Sequence, residues 1–157
     1  MKHHNYNVKL EWSGNLGSGT DTYNSYSRNH IISCNDKYDN ILGSSDSSFK
    51  GEKSRYNPEE LFLYSIMSCH MLWYLHLCAS EGIVVTEYID EATAVLIENK
   101  DGSGYFKEVK LNPVITIEND DLIDKAHQLH QQANNMCFIA NSCNFKIEHH
   151  PKVILKN

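Results

Sequence analysis

Arginine is almost missing from this chain of 157 residues, which has two, Arg28 and Arg55. Basic residues total 14 against 20 acidic ones, a formal net charge of -6. That balance offers no positive stripe for a phosphate backbone and argues against nucleic-acid and anionic-membrane partners. No CxxC pair occurs, which counts against a zinc ribbon and a thioredoxin-type motif. The start, MKHHNYNVKLEWSG, lacks the apolar centre of a signal peptide. No apolar run approaches the roughly 20 residues that span a bilayer. A soluble, cytoplasmic protein is expected. Its five cysteines, an odd number, do not resemble a secreted disulfide framework. In a reducing compartment such thiols are structural, metal-binding or redox-active.

Hydrophobic residues are 41% and charged residues 22%, so the chain can bury a core. No repeat or linker divides it, and one domain over residues 1–157 is expected. Residues 6–12 alternate Tyr6, Val8, Leu10 and Trp12 against polar neighbours, the period of a half-buried strand. SRNHIIS and DNILGS add two short strands in an N-terminal meander. Asn57, Pro58, Glu59 and Glu60 then spell a helix start: Asn57 as N-cap, Pro58 in the first turn, and Glu60 closing a capping box. This helix should run to about Glu81 and stop at Gly82. Its middle, LFLYSIMSCHMLWYLHLC, is apolar nearly all round, as in a helix enclosed on most sides. GIVVTEYIDEATAVLIE and YFKEVKLNPVITIE read as the two arms of a hairpin. From Asn119 onward, Leu122, Ile123, Ala126, Leu129 and Ala133 share one helical stripe, and NFKIEHHPKVIL closes with a strand. The order βββ-α-ββ-α-β describes an α+β domain with two helices on largely antiparallel sheet.

Two thiols stand out because they lie in apolar surroundings. At about 100° per residue, Cys69 and Cys78 fall on opposite sides of the first helix, whereas Cys69, Leu72, Trp73 and His76 share a face. Cys78 reads as a packed small hydrophobe. Spacing alone does not decide whether Cys34, Cys137 or Cys143 approaches Cys69. Two chemistries remain open. Metal is one, through Cys69, His70, His76, His127, His130 and Cys137, although only His127-x-x-His130 has a short ligand spacing and it reads as a solvated face. His149-His150 reads as plain surface. Thiol redox chemistry is the other. It needs a thiolate, an accessible pocket and usually a second, resolving cysteine. Cys69 lies too far from Pro58 for this helix's own dipole to help it, so an activating cation must come from elsewhere.

NPEELFLYSIMSCHMLWYLHLC, followed by CFIANSCNF 68 residues after Cys69 (137 − 69), resembles the OsmC/Ohr family of thiol-dependent hydroperoxide reductases. The likeness runs from about Trp12 to Pro151. It implies an OsmC-like fold, with antiparallel sheets packed around two long helices in an intertwined homodimer. By the same resemblance Cys69 corresponds to the peroxidatic thiol and Cys137 to the resolving one. Glu59 corresponds to a glutamate that binds an arginine beside the reactive sulfur. Arg28 is the arginine expected there, with Arg55 the other candidate. His70 stands where relatives often have Phe, and Leu61, Phe62, Met71 and Trp73 are expected pocket walls.

The resemblance further implies a cofactor-free peroxidase that reduces organic hydroperoxides through a sulfenic acid and an intramolecular disulfide. A dithiol reductant, such as a lipoyl protein, would reopen that disulfide. The alternative is a non-enzymatic member of the fold that binds a ligand or metal.

Overall fold

Asn57 and Glu60 set the start of the longest element in the computed structural model, which describes residues 1–156. The Glu60 backbone N–H donates to Asn57 Oδ1 at 2.8 Å, and the Asn57 N–H donates to a Glu60 carboxylate oxygen at 3.1 Å. This reciprocal cap is worth about 1 kcal/mol. Helix α1 follows over Pro58–Ser80. It ends where Gly82 turns to a positive φ of 72°. The Gly82 N–H donates to Ala79 O and the Ile83 N–H to Cys78 O, which caps the last turn as a Schellman motif.

The chain forms two compact units, Met1–Phe62 and Leu63–Asn157. The first holds an antiparallel sheet of β1 (Lys9–Trp12), β2 (His30–Ser33) and β3 (Ile41–Gly43), in the order β1-β2-β3. This is the meander expected from the sequence.

The second unit departs from the expected hairpin. Each of its two long arms breaks into two strands, giving β4 (Val85–Asp90), β5 (Thr93–Glu98), β6 (Gly104–Leu111) and β7 (Pro113–Ile117). The breaks face each other. The Asn112 N–H donates to Asp90 Oδ1 and its side-chain amide donates to Glu91 O, both at 2.8 Å. β5 and β6 form one antiparallel pair, and β4 and β7 form another.

Helix α2 (Ile123–Met136) then crosses back, and β8 (Lys146–His149) and β9 (Lys152–Leu155) extend both sheets. The resulting orders are β5-β6-β8 and β4-β7-β9. The pairings of β8 with β6 and β9 with β7 are parallel, because a crossover helix returns the chain in its former direction. Sheet in this unit is therefore mixed rather than largely antiparallel. The offset is constant: Glu108 pairs with Lys146 (146 − 108 = 38) and Val114 with Lys152 (152 − 114 = 38). Pro113 and Pro151 stand at that same spacing, where both segments pass from one sheet to the other.

Tyr74, Cys78, Ile83, Ile115, Ile117, Ala126, Leu129 and Ala133 form the core of this unit. Helix α1 buries only the stripe Ile66, His70, Tyr74 and Cys78. Elsewhere its apolar surface is open, with Leu72 62% exposed, so within one chain the helix is not enclosed as its composition suggests. By length and composition α1 would suffice to cross a bilayer, contrary to the reading that no such segment exists.

Candidate functional site

Cys137 closes α2. Its thiol is fully buried, and the Ala140 N–H donates to its sulfur at 3.4 Å. The half-buried Cys69 meets it from α1. The fold thus resolves what spacing left open: of the cysteines that could approach Cys69, Cys137 is the neighbour. Burial is the main cause that pushes the Cys137 thiol up to about 11. The hydrogen bond with Cys69, and repulsion from any charge on that sulfur, push in the same direction. Cys137 therefore stays a neutral thiol at neutral pH, an S–H poised against its partner.

The other three cysteines lie apart from this contact. Cys78 is a core residue, as expected. The Cys143 thiol bonds to Ile139 O at 3.2 Å, and the Cys34 thiol to Asn7 O at 3.2 Å. All five are free.

Leu72, Trp73 and His76, which share the helical face of Cys69, line an open apolar groove of about 280 Å³. Trp73 also meets Phe138, the residue after Cys137, edge to face at 5.9 Å.

In the first unit, Arg28 lies between the rings of Tyr23 and Tyr26, 4.2 Å from each centroid. Its guanidinium donates to Tyr26 O at 2.6 Å and Tyr23 O at 2.7 Å. Arg55 pairs with Glu52 at 3.3 Å, while its Nη1 is buried with no partner. Glu59 is half-buried, and among the described residues neither arginine forms an ion pair with it.

Sequence reasoning missed a histidine cluster that joins the two helices delivering the thiols. His70 Nε2 and His130 Nδ1 share a hydrogen bond at 3.0 Å. His149 packs on His70 with ring centroids 4.4 Å apart, and Tyr74 stacks on His130 at 3.9 Å. His130 is 2% exposed, so of the HxxH pair only His127 faces solvent, and His149 is not plain surface. The available signal was the spacing of Ala126, His130, Ala133 and Cys137, which continues the buried stripe of α2 at helical period. Burial holds His70 and His130 neutral down to about pH 3 and lowers His149 as well. Among the described residues, no three His, Cys, Asp or Glu side chains are arranged to hold a metal ion.

A pair of thiols meeting at the contact of two helices, inside an α+β fold with parallel returns to its sheets, defines a thiol-bearing α+β protein. Residues 51–151 match the family of OsmC-like proteins, and the chain belongs to it. An OsmC-like protein of unknown function from Vibrio cholerae is 27% identical, with a TM-score of 0.82 over 98% of this chain and 100% of that one. An organic hydroperoxide resistance protein from Elizabethkingia anophelis is 19% identical, with a TM-score of 0.67 over 99% and 100%. Another, from Legionella pneumophila, is 17% identical, with a TM-score of 0.63 over 96% and 98%. No curated protein sequence matches the chain.

Proposed function

We propose that this protein is a cytoplasmic, homodimeric thiol peroxidase that reduces organic hydroperoxides in an oxidative-stress response. The observation that carries the reading is the meeting of Cys69 and Cys137. Two structural thiols have no need of each other, whereas a peroxidatic cysteine usually works with a second, resolving thiol beside it. The hydroperoxide resistance proteins that share the fold point the same way.

Cys69, as thiolate, attacks the terminal oxygen of the hydroperoxide. The S–O bond forms as the O–O bond breaks, and the alkoxide leaves and takes a proton to become the alcohol. The sulfur is now a sulfenic acid, two electrons more oxidised. Cys137 attacks it, a disulfide forms, and water leaves. A dithiol of lipoyl type then reopens the disulfide by exchange and becomes a disulfide itself. The groove at Leu72, Trp73 and His76 suits an apolar organic group. Arg28 supplies the positive charge that favours the thiolate and the leaving oxygen, with Glu59 as its carboxylate partner in the working assembly.

The test is turnover with cumene hydroperoxide and dihydrolipoamide. Cys69→Ser should abolish consumption. Cys137→Ser should consume about one peroxide per chain and stop, because the sulfenic acid has no internal thiol to resolve it. Sustained turnover by either variant would overturn the assignment.

A further inference from the structure

The histidine cluster takes no part in the chemistry proposed above, yet each member of its bonded pair is tied to one thiol. His70 follows Cys69 in α1. His130 lies seven residues, about two turns, before Cys137 on the buried stripe of α2. One hydrogen bond of 3.0 Å therefore crosses between the two helices that deliver the thiols.

We infer that His70 and His130 are positioning residues for the thiol pair: their hydrogen bond fixes the register of α1 against α2 that keeps Cys69 beside Cys137. The inference deepens the proposed function and rests on it only in taking the disulfide as the productive state.

The packing around the bond explains why a bond is needed. His130 shares its buried stripe with Ala126, Leu129 and Ala133, whose apolar contacts carry no direction of their own. A directional bond between two buried rings has one good register. His70 Nδ1 and His130 Nε2 have no partners, so this bond is the polar anchor of both rings among the described residues.

The bond works with one shared proton, one nitrogen donating and the other accepting. The surrounding groups keep it so. His149 faces His70, Tyr74 stacks on His130, and the charge of His127 also acts on His130. His150 acts on His149, Cys78 lies against Tyr74, and Tyr88 with Asp90 approaches Tyr74 from β4. Every other charge acting on the bonded pair is a histidine that would be cationic if protonated. A second proton would turn two N–H groups toward each other and break the bond.

The experiment separates the two steps of disulfide formation. Reduced protein receives one equivalent of cumene hydroperoxide, and quenched samples are weighed intact: Cys69 gains one oxygen, then water leaves as the disulfide closes. His130→Phe keeps a ring against Tyr74 but cannot make the bond, whereas His130→Asn keeps a polar atom near Nδ1. We expect oxygen uptake to change less than about twofold in both, while closure slows at least about tenfold in His130→Phe and returns to within about threefold in His130→Asn. Closure at the wild-type rate in His130→Phe, or equal slowing in both variants, would overturn the inference. Should His130→Phe not fold, His70→Leu against His70→Gln supplies the same comparison, because Gln reaches the Nε2 position. Diamide, which takes up the two hydrogens of a dithiol as the disulfide closes, repeats the comparison without peroxide. If Cys69 ignores hydroperoxide but the variants still separate with diamide, the peroxidase reading fails and the positioning role stands.

Discussion

Arg28 and Arg55 differ in what already claims their charge. Glu52 stands 3.3 Å from Arg55 and offsets it locally. Arg28 is held by two carbonyls and two rings, and among the described residues no carboxylate offsets its charge. The spare donor on Arg55, a buried Nη1, argues the other way. Net charge reaches further than one hydrogen bond, and on that ground Arg28 is the stronger candidate. Arg28→Ala should slow the reaction of Cys69 with hydroperoxide by at least about tenfold, roughly 1.4 kcal/mol of barrier, and Arg55→Ala by much less. Stopped-flow rates on both variants decide it, and the reverse ranking would move the role to Arg55. At this scale the sequence was legible where a residue's chemistry conflicts with its surroundings, as for Cys69 in an apolar helix. It was not legible for His130 and His149, because a polar residue at a stripe position reads as surface unless its buried partner is known.

Elements were easiest to foresee where local chemistry sets them. The cap at Asn57 and the stop at Gly82 bracket α1 as expected, since both depend on neighbours within a few residues. The break at Asn112 was missed because strand period continues across it, and what holds the bend is a pair of bonds to Asp90 and Glu91, distant in sequence. The parallel pairings were missed for the same reason. The joint among α1, α2 and β8 also makes the elements sensitive to acid. Unfolded, His70 and His130 take up protons near pH 6.5, whereas folded they hold off to about 3. The unfolded chain thus binds more protons below about pH 6.5, so the stability these groups contribute is complete above that pH and is lost as pH falls toward 3. Each histidine adds a slope approaching about 1.4 kcal/mol per pH unit in that window. Urea midpoints measured between pH 7 and 5 should fall with acid in the wild type, and the slope should flatten in His70→Gln. An unchanged slope would mean that the cluster is open to water.

As a whole, the chain exposes more apolar surface than one copy needs. Leu72 is 62% exposed, Phe138 64% and Tyr64 50%, and a groove opens beside Trp73. Large apolar patches of this kind mark interfaces. In the proposed homodimer a second copy covers α1. Sedimentation at micromolar concentration should then give a mass near 36 kDa, twice 18.0 kDa. Leu72→Glu should shift the population toward single chains. A wild-type monomer would remove the basis for a site completed between copies.

The constant offset of 38 residues ties the fate of two sheets together. Residues 146–155 follow residues 108–117 stride for stride, each crossing between sheets at a proline. A slip of one residue would turn every inward side chain of β8 and β9 outward at once, which two sheets resist more strongly than one. Insertions or deletions within either segment would need a matching change in the other. The stretch from Glu118 to Phe145 carries no such constraint on its length, apart from α2 and the thiol it delivers. Changes of loop length in that stretch should therefore cost this fold less than unequal changes in the paired segments.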